Sequence, residues 1–127
     1  LTRRDHLADV LAGIEAATTA FGHVKIDTVL MRGTNDDELE ALVGYAGTQG
    51  AEIRFIEYMD VPGATHWDAA RVVSRAEILE RLRQAHGDVR ALPADGPAPA
   101  QRFVLPSGQI VGIIASTTTP FCATCDR

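Results

Sequence analysis

Two runs rich in apolar and β-branched residues, Val24 to Met31 and Glu52 to Met59, flank a stretch in which Leu39, Leu42, Val43 and Ala46 repeat at helical spacing. No other feature of the chain constrains its fold as strongly. Strands joined through a helix pair in parallel, because the crossover returns the chain to the end of the sheet where it started. A further helical stripe, Leu7, Val10, Leu11, Ile14 and Ala17, precedes the first run and stops at Gly22. Helix, strand, helix, strand predicts an α/β fold with a parallel sheet. Capping boxes are expected at Thr2 with Asp5, Asn35 with Glu38, and Ser74 with Glu77. The charged residues of the second run are expected to share one face of its strand.

After Met59 the texture changes. Asp60 to Trp67 carries a Pro-Gly turn signal, and α/β folds place ligands in loops that follow the carboxyl ends of parallel strands. His66 and Trp67 fit surface packing better than ligand contact. A third helix presents Ile78, Leu79 and Leu82 inward and ends at Gly87, and Val89 to Leu92 fits a short strand. Residues 93–100 are expected to form a Pro/Ala/Gly linker or mobile loop that divides 1–92 from 101–127. Beyond it, Arg102 to Leu105 and Gln109 to Ala115, joined by Pro106-Ser107-Gly108, predict an antiparallel hairpin.

The hairpin leads to Pro120-Phe121-Cys122-Ala123-Thr124-Cys125-Asp126-Arg127, which holds both cysteines of the 127-residue chain. Two thiolates on one tight turn can ligate a metal or close a small disulfide loop, but structural zinc and cubane clusters usually take four ligands. On spacing alone a zinc half-site or a redox dithiol carries the greater weight. Two neighbouring cysteines make no disulfide framework, so a reducing cytoplasm is the expected compartment. The net charge of −5, with both signs interleaved, argues against a nucleic-acid or membrane-surface partner. No apolar run reaches membrane-spanning length.

Four stretches in order carry a resemblance. They are Val24-Lys25-Ile26-Asp27 leading to Arg32-Gly33-Thr34-Asn35-Asp36-Asp37-Glu38; Arg54-Phe55-Ile56-Glu57-Tyr58-Met59-Asp60; Ile113-Ile114-Ala115-Ser116; and the cysteine segment. Together they resemble the molybdenum cofactor biosynthesis protein A family, the radical S-adenosylmethionine enzymes that act as GTP 3′,8-cyclases, over nearly the whole chain. The resemblance implies the later βα units of an incomplete (βα)₆ TIM-like barrel, followed by a hairpin and the start of a carboxyl-terminal iron–sulfur region. It implies two [4Fe-4S] clusters in the parent enzyme, S-adenosylmethionine as cofactor and GTP as substrate.

The resemblance implies roles for five residues. Cys122 and Cys125 become two of the three cysteine ligands of the second cluster, which reverses the weighting drawn from spacing. Lys25 matches a strand lysine near GTP, Met59 a position contacting S-adenosylmethionine, and Arg127 the first arginine of a GTP-binding pair. Read by themselves, Lys25 fits a snorkelling edge cation and Met59 a core filler. Arg54 and Glu57 fit either a barrel-interior polar network or a solvated face. Asp27 stands where asparagine is expected and receives no role. The amino-terminal cysteine triplet of the family is missing, so this piece is expected to be inactive alone. A half barrel leaves a strand edge unpaired, so it is also expected to self-associate, most simply as a homodimer.

Overall fold

The computed structural model describes residues 6–60, 67–94, 96 and 98–119. Its elements are α1 (Leu7–Phe21), β1 (Lys25–Leu30), a short 3₁₀ turn (Asp36–Glu38), α2 (Leu39–Thr48), β2 (Glu52–Glu57), a second 3₁₀ turn (Ala69–Arg71), α3 (Arg75–His86), β3 (Arg90–Ala91), β4 (Gln101–Val104) and β5 (Ile110–Ile114). They form a mixed α/β fold around one five-stranded sheet in the order β1-β2-β5-β4-β3. The parallel pairs are β1 with β2 and β2 with β5, while β4 pairs antiparallel with both β5 and β3.

The helical stripe between the two runs becomes a core face because its period matches the turn of α2. Leu39, Val43 and Ala46 are buried, and with Ile78, Leu79 and Leu82 of α3 they cover Leu30, Ile53, Phe55, Val111 and Ile113 of the sheet. Each large side chain removed from water in this layer contributes about 1.5–3 kcal/mol. The β4–β5 turn is fastened to α2, because Gln109 donates from Nε2 to the Val43 carbonyl at 2.8 Å. Gly47 makes room for it, since a Cβ there would lie 2.8 Å from the Gln109 amide oxygen. Residues from both sides of the 93–100 segment therefore share one sheet and one core.

Local signals are realised unevenly. Ser74 accepts from the Glu77 amide as the third box requires, but the Glu77 carboxylate turns away to Arg32 and Arg81. The second box does not form. Asn35 instead accepts from the Met31 amide and donates to the Val29 carbonyl, which fastens the turn after β1 and leaves α2 without a side-chain cap. Thr2 and Asp5 lie outside the described residues. The stripe of α1 forms as a helix stopped by Gly22 at φ 71°, yet none of its residues is buried, and Leu7, Val10 and Phe21 are largely exposed.

Candidate functional site

Strand alternation divides β2 between two environments. Ile53, Phe55 and Glu57 face the helices and are buried, while Glu52, Arg54 and Ile56 face the other way and are half-buried. The expectation that the charged residues share one face is corrected here. Glu57 has the parity of Ile53 and Phe55, which places its carboxylate at the end of the apolar row.

Glu57 is fully buried at the carboxyl end of β2. Its Oε1 accepts from the Arg75 amide at 2.8 Å and from the Thr118 hydroxyl, and its Oε2 from the amides of Thr117 at 2.9 Å and Thr118 at 2.7 Å. Its carbonyl accepts from the Ser116 hydroxyl at 3.0 Å, and the Tyr58 carbonyl from the Thr117 hydroxyl at 3.0 Å. One side chain therefore ties the end of β2 to the start of α3 and to the turn after β5, just before the cysteine segment. Burial, the largest single influence, pushes the Glu57 carboxyl upward. The hydrogen bonds from Thr118, Arg75 and Thr117 together outweigh it and hold the carboxyl below the usual glutamate range.

A second tether fixes the connection from β2 to α3. Arg32 donates to both carboxylate oxygens of Glu77 and to the Ala70 and Val72 carbonyls at 3.2 Å. Arg81 bridges Glu77 and Asp36, and Arg71 donates to the Thr34 hydroxyl. The Arg32 hydrogen bond holds Glu77 below its usual range, and the Gly33 amide does the same for Asp36. The run Arg32 to Asp36 thus anchors the chain where it returns from the loop after Met59.

The face of the sheet away from the helices carries a different chemistry. In register, Lys25 lies beside Glu52, Asp27 beside Arg54, and Arg54 beside Gly112, which in turn lies beside Arg102. Glu52 is held from both sides, by Arg54 Nε at 2.7 Å and by Arg102 Nε at 3.1 Å. Gly112 permits this, because a Cβ there would lie 2.9 Å from Cγ of Arg54. At the amino-terminal end of β1 and β2 an open cavity of about 920 Å³ is lined by His23, Lys25, Glu52, Arg102 and Gln109 among others. Lys25 is exposed, with no ion pair among the described residues, and Asp27 is exposed beside Arg54.

The predicted site residues fall at two ends of the sheet. Lys25 is the first residue of β1, whereas Met59, 48% exposed, lies two residues past the end of β2. Lys25 is level with Glu52, and the five strand steps from Glu52 to Glu57 alone span roughly 17 Å. The chain after Ile114 leaves at the Met59 end, because β5 runs parallel to β2. Cys122, Cys125, Arg127 and His66 lie outside the described residues. Trp67 is half-buried, with its indole nitrogen enclosed and without a hydrogen-bond partner among the described residues. Sequence reasoning left Glu57 between an interior polar network and a solvated face, and named Arg102 only as the start of a hairpin strand. Strand parity signals the first; nothing local signals the second, which depends on β5 inserting between β2 and β4.

Comparison with known proteins adds the remaining observation. The family model described as Molybdenum Cofactor Synthesis C matches residues 51–127. The chain is 52% identical over 128 residues to GTP 3′,8-cyclase 1 of Mycobacterium tuberculosis, covering all of this chain and 36% of that protein. It is 44% identical to the GTP 3′,8-cyclase of Acidothermus cellulolyticus, covering 95% of this chain and 34% of that one. It is 42% identical to that of Streptomyces coelicolor, covering 100% and 38%. The chain thus spans little more than a third of the length of the curated relatives it matches.

Proposed function

The chain belongs to the Molybdenum Cofactor Synthesis C family, and from that membership we propose that it is the later part of a GTP 3′,8-cyclase. Full-chain identity of 52% to a protein of that name is the observation that carries the reading. The parent would convert GTP to 3′,8-cyclo-7,8-dihydro-GTP as a radical S-adenosylmethionine lyase in the cytoplasm; no helix among the described residues is long and apolar enough to cross a membrane. Residues 1–92 would supply later units of the incomplete barrel, and 101–127 the hairpin and the start of the iron–sulfur region.

The two ends of the sheet suit this assignment. Lys25, a compact cation on the open face, would hold the phosphates at the strand starts, with the ribose extending toward the strand ends. Met59 would contact S-adenosylmethionine there, and Arg127 would contact GTP from the cysteine segment. Cys122 and Cys125 would hold the second [4Fe-4S] cluster with one further cysteine; two soft thiolates with two residues between them fit such a centre. S-adenosylmethionine bound with the parent's other cluster would supply the radical chemistry, while this chain's residues would bind and orient.

The test is anaerobic reconstitution of the full-length protein with iron, sulfide, S-adenosylmethionine, reductant and GTP. The expected result is the cyclised nucleotide by mass spectrometry from the full-length protein and none from residues 1–127 alone. Zinc without sulfide in the full-length protein would instead make the cysteine pair a zinc site. The isolated chain is also expected to self-associate. Among the described residues β1 is an edge strand, and α1 presents Leu7, Val10 and Phe21 to solvent, so the chain offers both a strand edge and an apolar helix face to a second copy. Light scattering at micromolar concentration should give at least a dimer; a monodisperse monomer overturns this expectation.

A further inference from the structure

The sheet's open face carries a cation that none of the motifs marks. Arg102 stands on β4, two strands away from β2, and reaches Glu52 because Gly112 between them has no side chain. Its guanidinium uses Nε for Glu52, and its two terminal nitrogens have no protein partner among the described residues. The side chain is 29% exposed and lines the same cavity as Lys25, whereas Arg54 is 15% exposed and is not among the residues lining it. Glu52 is neutralised by either arginine, so Glu52, Arg54 and Arg102 together carry one net positive charge. Lys25 adds a second on the cavity wall, and Asp27 is the acidic residue on the same face that opposes them.

We propose that Arg102 is a polyphosphate-binding residue of the GTP site, held in place by Glu52 as a positioning residue. The proposal rests on the reading of the parent as a GTP 3′,8-cyclase. A guanidinium fixed through Nε presents its two terminal nitrogens as a planar fork, the geometry that binds two phosphate oxygens at once. The carboxylate removes most of the rotamer entropy that a free arginine loses on binding, so the fork is set before the ligand arrives. Lys25, a point charge with no ion pair among the described residues, lines the same cavity from β1 and meets the same polyanion. Arg102 therefore recognises the phosphates and is indifferent to the base.

The test measures dissociation constants of GTP and guanosine for the full-length protein by calorimetry without reductant, with inorganic tripolyphosphate as competitor. Arg102→Ala should weaken GTP and tripolyphosphate about tenfold, the loss expected for one charge-assisted contact, and leave guanosine unchanged. Arg102→Lys should restore part of the GTP affinity, and Arg102→Gln, which keeps much of the packing, should behave like alanine. Glu52→Gln should weaken GTP by a smaller factor, because the fork remains but is no longer held. A purely structural salt bridge would lower the melting temperature of Arg102→Ala while changing GTP and guanosine affinity equally or not at all, and that result overturns the proposal. If Lys25→Ala weakens GTP and Arg102→Gln does not, Arg102 is wrong and the GTP reading stands. If the unmodified protein binds neither GTP nor tripolyphosphate, both fall.

Discussion

Glu57→Ala is expected to lower the stability of the full-length protein by about 3–5 kcal/mol, the order expected when several hydrogen bonds to one buried charged group are lost together. The substitution removes the acceptor for three backbone amides, those of Arg75, Thr117 and Thr118, and for the Thr118 hydroxyl. Each buried donor left unsatisfied costs about 1–3 kcal/mol, and water entering the cavity recovers part of that. Glu57→Gln should cost less, because one oxygen still accepts while the amide nitrogen faces a donor. Urea denaturation measures the loss. Hydrogen exchange locates it: the amides of Thr117 and Thr118 should lose protection together with that of Arg75, 42 or more residues earlier. A change confined to one of the three segments would show that Glu57 does not join them. The same carboxylate sets an acid limit. Its folded-state pKa lies below the ordinary 4.5, so its contribution is complete above that value and is lost as the pH falls from there through the lower folded value. Glu77 and Asp36 are shifted in the same direction and steepen that loss. Glu57→Gln should flatten the fall in stability below about pH 4.5.

Cys122→Ser in the full-length enzyme is the second large effect. A serine hydroxyl is a hard, mostly protonated donor and a poor replacement for a thiolate on iron. On the proposed reading, loss of one of three cysteine ligands should remove roughly half of the protein-bound iron while the other cluster still cleaves S-adenosylmethionine. Cyclised product should fall by at least ~100-fold, the upper end of what losing a supporting contact costs at a metal centre. Iron and sulfide analysis with electron paramagnetic resonance separates the two clusters. Retention of both clusters and of GTP binding would remove Cys122 from the ligand set. Because Glu57 grips Thr117 and Thr118, Glu57→Gln should reproduce a milder form of this defect in iron content.

The sequence by itself determined the elements and their order. Leu39, Val43 and Ala46 repeat at the helical period between two β-branched runs, and those residues do become the core face of α2 over β1 and β2. Gly22 and Gly87 stop their helices with positive φ, and Pro106 to Gly108 turns β4 back into β5, because these are local choices of φ and ψ. The family was legible too, since its motifs are strings of neighbouring residues. What the sequence left undecided was every choice made by a partner distant in the chain. The Glu77 carboxylate turned from the helix end to Arg32, 45 residues away, because that tertiary neighbour offered a charge-assisted bond, whereas Asn35 gave up its capping role for the nearby Met31 and Val29. Glu57 appeared as one charge among several on a strand. Only the docking of α3 and of the turn after β5 supplied the four donors that let a carboxylate be buried at the end of an apolar row. Arg102 became part of the open face only when β5 paired with both β2 and β4, bringing it to Glu52 across 50 positions of sequence. Periodicity specifies which way a side chain points along its own strand; which charge it meets depends on strand order, and strand order is settled by long-range pairing that no local pattern encodes.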